Sequence, residues 1–268
     1  MMHNFSIMNH FLGFGKRDSV TGRQDREHSV AVLGTTRENS HTKAEIELVA
    51  AVAGKLAQKD FDIWTGGCPG IAKSANLAAH NVNPKNSWAV HVKRFLNNRT
   101  LSVRNLGIYN EKKDKTGSPV LTESGPERTM AIVEECNHAV IATGGLGSAQ
   151  EFSVCAEAKA FKSSKNDLCI DDLTLLNNNG FYDNLIKTFD TIENDKYKLT
   201  EPPYKGLPGF PIKPKTLKEK IINNEVKING NIMTKADIEK TSTDIVNHII
   251  EESNKNSVEK IPLFNSSH

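Results

Sequence analysis

The chain has 268 residues, and its charges nearly cancel, 34 Lys and Arg against 32 Asp and Glu, which gives no electrostatic case for a nucleic-acid partner. Aromatic residues make up only 6%, too few for a base-stacking surface. No apolar run approaches the roughly 18–20 residues of a membrane span, and the length suits one sizeable α/β domain with extensions.

Residues 1–28 form a polar leader without a secretory apolar region or a clear cleavage site, and are expected to be poorly ordered. The lack of acids before Asp18 gives the leader a weak likeness to an organelle transit peptide. From residue 29 the pattern alternates. "SVAVLG" (29–34) reads as a buried strand, and "SHTKAEIELVAAVAGKLAQKD" places Ile46, Val49, Ala50 and Ala53 at helical spacing. "FDIWTG" is a strand, a helix starts near Pro69, and "SWAVHV" is one further strand. "LSVRNLGIY" is readable as a strand, and "NEKKDKTGSP" as an exposed loop. "PERTMAIVEEC" is expected to be a helix with Pro126 at its first position. "HAVIAT" is a strand feeding a helix that runs to about Phe161. "LTLLN" and "FYDNLIKTFDTIE" then supply a last strand and a closing helix.

This alternation implies a parallel sheet with helices on both faces, a Rossmann-like three-layer α/β fold over residues 29–199. Residues 200–268 read as an extension, a proline-rich linker followed by a helical tail. In that tail Ile238, Ile245, Ile249 and Ile250 lie partly on one helix face, which docks either on the core or on a partner. The four cysteines, Cys68, Cys136, Cys155 and Cys169, are widely spaced and lack nearby histidines. They suit reduced, mostly buried thiols of a cytoplasmic protein and no metal site.

Two glycine clusters follow strands, "TGGCPGIAKSAN" (65–76) and "TGGLGSAQE" (143–151). In a doubly wound sheet both fall at carboxyl ends of strands, where ligands bind. Glycines bring bare backbone close, and a helix start adds free N–H groups and a positive dipole end, so phosphate is a natural guest. Each cluster alone is equally readable as a tight strand-to-helix turn, and neither is a dinucleotide or P-loop fingerprint. Ser148-x-x-Glu151 also reads as a capping box. Arg128 opposes the dipole of its helix, and is either solvated or paired with Glu127 or Glu123.

The first cluster resembles the T-G-G-G-P-G-I-M-E-A-A-N signature of LOG-type proteins (LONELY GUY, often labelled "lysine decarboxylase-like"). The second resembles their P-G-G-x-G-T-x-x-E motif. In that family an Arg lies sixteen residues before the first glycine of the motif and twenty-three before the Glu, as Arg128 stands to Gly144 and Glu151 here. "LLNNNGFYDNLI" is similar to the family's L-L-N-x-x-G-Y-Y-D-x-L-L segment, so the resemblance spans roughly residues 29–195.

The resemblance implies a nucleotide-binding domain, a homodimer or higher homo-oligomer, and hydrolysis of the N-glycosidic bond of a nucleoside 5′-monophosphate. AMP or an N6-modified AMP would yield free base and ribose 5-phosphate, with no cofactor and no metal. By this resemblance Arg128 and Glu151 are the catalytic residues. Gly144, Gly145, Gly147 and Ser148 hold the 5′-phosphate, and Gly66, Gly67 and Gly70 line the opposite wall. The chain departs from the pattern at Thr143 (Pro in the family), Ala72-Lys73 (Met-Glu), Asn137 (often Asp) and Thr129 (Lys). These departures keep open a second reading, a protein that binds or senses a nucleotide without cleaving it. A pyridoxal-phosphate decarboxylase needs a Schiff-base lysine, and nothing in the sequence singles one out.

Overall fold

The computed structural model describes residues 28–36, 43–96, 102–114, 116–160, 170–188, 190–191, 222–228 and 233–259. The expected leader up to residue 27, the proline-rich stretch 201–215, Phe161 and Cys169 lie outside the described residues. In chain order the elements are β1 (Ser29–Leu33), α1 (Lys43–Gln58), β2 (Asp62–Thr65), α2 (Ile71–Val82), β3 (Ser87–Ala89) and β4 (His91–Val92). There follow β5 (Asn110–Glu111), β6 (Leu121–Thr122), α3 (Gly125–Val133), β7 (His138–Ile141), α4 (Leu146–Ala160), β8 (Asp172–Asn178), β9 (Asn224–Ile228) and α5 (Lys235–Glu259). A short helical segment covers 183–188.

Seven strands form one parallel sheet in the order β5-β3-β2-β1-β7-β8-β9. The expected Rossmann-like α/β architecture is the one found. Continuous apolar runs such as "SVAVL" form strands here because both faces of the sheet are covered. Val30, Val32, Val140 and Leu176 face α1, α2 and α5. The alternate residues Ala31, Leu33, Ala139, Ile141 and Leu175 face α3 and α4. The chain order reverses between β1 and β7, which makes their carboxyl ends the topological switch point of the sheet.

Three expectations are corrected. "SWAVHV" is not one strand. The chain bends at Val90, whose N–H donates to Thr65 O at 3.0 Å, so β3 joins the main sheet while β4 pairs with β6 in a separate two-stranded sheet. "LSVRNLGIY" contributes no strand among its described residues, because Arg104–Leu106 wind into a 3-10 turn that ends at Gly107 in the left-handed region. The boundary at residue 199 does not end the folded unit. β9 pairs with β8 along five residues, and α5 packs on α1 and β8, burying Ile238, Ile245 and Ile249. The C-terminal helix therefore docks on the core of its own chain.

One contact ties α5 to the amino-terminal end of the strands, opposite the glycine clusters. His248 Nε2 lies 2.9 Å from Asp172 Oδ1, and the buried His138 Nδ1 stands 3.6 Å from the other oxygen. Burial alone would raise the Asp172 pKa, but the hydrogen bond with His248 and the nearby His138 outweigh it and hold the group at about 2. The same hydrogen bond raises the His248 pKa. A raised histidine stabilises the fold fully below its unfolded value of roughly 6.5 and loses that contribution as pH rises through the folded value. The depressed aspartate contributes above the ordinary carboxylate value and is lost only as pH falls towards about 2. His248→Asn should therefore lower Tm clearly at pH 5–6 and little at pH 9. An equal loss of Tm at both values would show that the ion pair does not hold the helix.

Candidate functional site

Because β2 and β7 are parallel, the loops leaving their carboxyl ends emerge on one edge of the sheet, with the end of β1 between them. Both glycine clusters and Gly34-Thr35 thus meet at the switch point. Arg128 reaches this place from α3. That helix starts one residue earlier than expected, with Ser124 as its cap accepting from the Glu127 N–H at 3.4 Å and Pro126 in its first turn. The Glu127 carboxylate in turn accepts from the Glu123 N–H at 2.9 Å. Capping-box chemistry is therefore found at Ser124 and Glu127, and Glu127 is not the partner of Arg128.

Arg128 is largely buried and donates through Nη2 to Glu151 Oε1 at 3.1 Å and through Nη1 to Cys68 Sγ at 3.1 Å. A Cβ on Gly66 would fall 2.8 Å from the Arg128 Cζ, so glycine is what lets the guanidinium lie on the first loop. Glu151 is not a cap. α4 begins at Leu146, which puts Glu151 in its second turn, 4% exposed and turned inward. Its second oxygen, Oε2, is buried and has no hydrogen-bond partner among the described residues. Burial pushes its pKa up to about 7 against the opposing pull of Arg128 and of the Gly34 N–H. Burial likewise raises the Cys68 thiol, with Arg128 partly offsetting it.

The remaining sequence-identified residues divide by environment. Gly145 and Gly147 are exposed, and a Cβ on either would meet nothing within 4 Å, so their backbone faces open space. The first amides of α4 have no intrahelical acceptor and carry the positive end of its dipole. Ser148 is buried and its hydroxyl lies over Gly144, where a side chain would strike it. Gly67 lies on the His91 ring, and Gly70 is packed on the backbone of Thr35 and Thr36.

Several contributors escaped the motif reading. Thr65 and Asn76 brace the first loop, with Thr65 Oγ1 donating to Asn76 Oδ1 at 2.5 Å and the Gly67 N–H donating to Thr65 Oγ1 at 3.0 Å. Both lie inside the first motif, so its polar residues were the available signal. Cys68 was legible only as a thiol inside that motif. The Tyr182 hydroxyl donates to Ala142 O at 2.8 Å, which ties the "NNNGFYD" segment to the second glycine turn. His91 is buried beside Glu111 and Tyr109, and burial lowers its pKa to about 4. The departures from the LOG pattern are accommodated locally: Thr129 Oγ1 donates to Gly125 O at 3.2 Å, and Asn137 O accepts from the Asp171 N–H at 2.7 Å. Among the described residues no group of three His, Cys, Asp or Glu is placed to hold a metal ion, and no helix is long and apolar enough to cross a membrane.

A model of the SLOG cluster4 family matches residues 27–166, just over half of the chain and the part that contains both glycine clusters, Arg128 and Glu151. No curated protein matches the sequence significantly. Among solved structures, the molybdenum cofactor binding protein from the phototrophic bacterium Rippkaea orientalis matches at 15% identity with a TM-score of 0.42, covering 64% of this chain and 97% of that one. TM1055, a structural-genomics target, matches at 14% identity with a TM-score of 0.34, covering 57% and 75%.

The packing at the first loop makes a testable contrast. Gly70 has φ 73° and its added Cβ would run into the Thr35 carbonyl oxygen, whereas Gly107 has φ 63° with nothing within 4 Å. Gly107→Ala should cost about 1 kcal/mol, the backbone penalty alone. Gly70→Ala should cost at least about twice that, because the backbone must also shift. Urea denaturation of the two variants measures the difference, and equal costs would refute the tight contact.

Proposed function

The chain belongs to the SLOG cluster4 family, and we propose that its switch-point site binds a nucleoside 5′-monophosphate and hydrolyses the N-glycosidic bond. The observation that carries this reading is the buried Arg128–Glu151 pair, set beside a glycine-rich helix start and leaving one carboxylate oxygen without a partner among the described residues. The exposed amides of Gly145 and Gly147 and the dipole of α4 suit a phosphate. With the phosphate there, the ribose lies towards Glu151. Cleavage builds oxocarbenium-like positive charge on the ribose, which a buried carboxylate stabilises. The C1′–N bond breaks, water gives its hydroxyl to C1′, and the departing base takes up a proton. Arg128 holds the carboxylate by one oxygen and favours its ionised form. Glu151 Oε2 is the atom left for the ribose or the water.

A second reading is binding without cleavage. It is favoured by Cys68, which stands where the LOG motif has glycine and accepts a hydrogen bond from Nη1 of Arg128. Base release from a panel of nucleoside monophosphates decides between the two readings.

Two expectations follow. AMP should bind at least about tenfold more tightly than adenosine, since charge-assisted hydrogen bonds contribute about 1.5–3 kcal/mol each. Equal affinities in calorimetry would remove the phosphate site. Glu151→Gln should lower the rate of base release by roughly 10²–10⁴, and should lower Tm as well, because Arg128 is left buried without its charged partner. In the unmodified protein kcat/KM should rise with pH through about 7 and level off above it, because Glu151 works in its ionised form. A rate unchanged by the glutamine would assign the chemistry elsewhere.

A further inference from the structure

Glu45 lies in the first turn of α1, outside every glycine motif, and its side chain has no exposure to solvent. The Thr143 N–H donates to Glu45 Oε1 at 3.0 Å and the Thr143 hydroxyl to Oε2 at 2.5 Å. The Asn178 side chain, at the end of β8, hydrogen-bonds the same carboxylate. Two other segments therefore converge on this acid where β7 turns into α4. Neighbouring groups are held as well. Ala142 O accepts from the Tyr182 hydroxyl at 2.8 Å, the Ala142 N–H donates to Leu33 O at 2.9 Å, and Thr143 O accepts from the Thr35 N–H at 3.1 Å. The peptide groups on both sides of Thr143 are thereby fixed immediately before the exposed residues Gly145 to Gly147.

The LOG-type motif has proline at this position, which supplies rigidity through its ring and has neither an N–H nor a hydroxyl. Thr143 supplies both donors, and Glu45 accepts both. A buried carboxylate is costly to desolvate and persists where its acceptor capacity is used. We propose that Glu45 is a positioning residue for the anion-binding turn Thr143–Ser148, replacing by hydrogen bonds the rigidity that proline gives in the LOG motif. The inference rests on the phosphate reading of that turn. Glu45 acts through Thr143 and not on the substrate itself.

The test combines Glu45→Gln, which keeps the volume, with Thr143→Val, which removes only the hydroxyl, and the double variant. Each single change should speed hydrogen exchange of the amides of Ala142 and of residue 143, which are hydrogen-bonded in the fold, and weaken AMP binding about tenfold, leaving adenosine affinity unchanged. The double variant should be little worse than the worse single one, as expected for residues acting as one unit. AMP and adenosine affinities falling together, additive losses, or unchanged exchange of those amides would each overturn the proposal. If wild type itself binds AMP and adenosine alike, the phosphate reading fails. The exchange measurement then still decides whether Glu45 holds the turn. Should Glu45→Gln fail to fold, Thr143→Val carries both measurements.

Discussion

The site depends on one buried ion pair. Arg128 and Glu151 come from helices on the same side of the sheet, and their contact at 3.1 Å lies almost wholly out of water. Removing one partner of such a pair typically costs about 3–5 kcal/mol, because the other charge is stranded. Replacing both with apolar residues is often no worse for stability, so stability alone does not explain why a chain keeps the pair. Its placement at the switch point of a doubly wound sheet does supply a reason, because ligands meet this fold there.

The pair is precise only because its supports are. α3 is held by its Ser124 cap and by Lys112, a buried cation that reaches Glu135 Oε1 at 2.6 Å and the Ala131 carbonyl oxygen at 3.3 Å. The first glycine loop is braced by Thr65 and Asn76, and Asn76 is fixed in turn by Ser87 and the Trp88 carbonyl. The second is held by Glu45, Tyr182 and Thr35. Apart from the half-buried Ser124, the supports are buried polar groups with hydrogen-bond partners, an arrangement that costs little in place and much when half broken. The glycine turns themselves need few side chains, so the order at the ligand edge comes from beneath it.

The β8 edge of the sheet is organised differently. Along it the C-terminal segment returns to complete the fold, with β9 protecting the edge of β8 and α5 covering α1. Without β9 the long apolar strand β8 would present an unpaired edge. The Asp172 contacts with His138 and His248 lie at the amino-terminal end of the strands, away from Arg128 and Glu151, which separates a pH-sensitive structural tie from the glycine loops.

Much of this was legible in the sequence. Continuous apolar strands separated by amphipathic helices determined a parallel sheet with two covered faces, and a parallel sheet forces the loops after β2 and β7 onto one edge. The separations among Arg128, Gly144 and Glu151 survived folding as a contact, since Arg128 and Glu151 lie within helices and Gly144 follows a strand, elements whose geometry is periodic. What local pattern could not decide was any choice between two partners of similar chemistry. Ser148-x-x-Glu151 and Ser124-x-x-Glu127 carry the same capping signature, and only the packing of α3 against α4 sends Glu151 to Arg128 and leaves the cap to Ser124. The bend at Val90, the return of β9 and α5, and the grip of Glu45 on Thr143 likewise lie beyond local reading. Each is set by contacts between segments far apart in the chain, 98 residues in the case of Glu45, and burial rather than sequence spacing selects the partner.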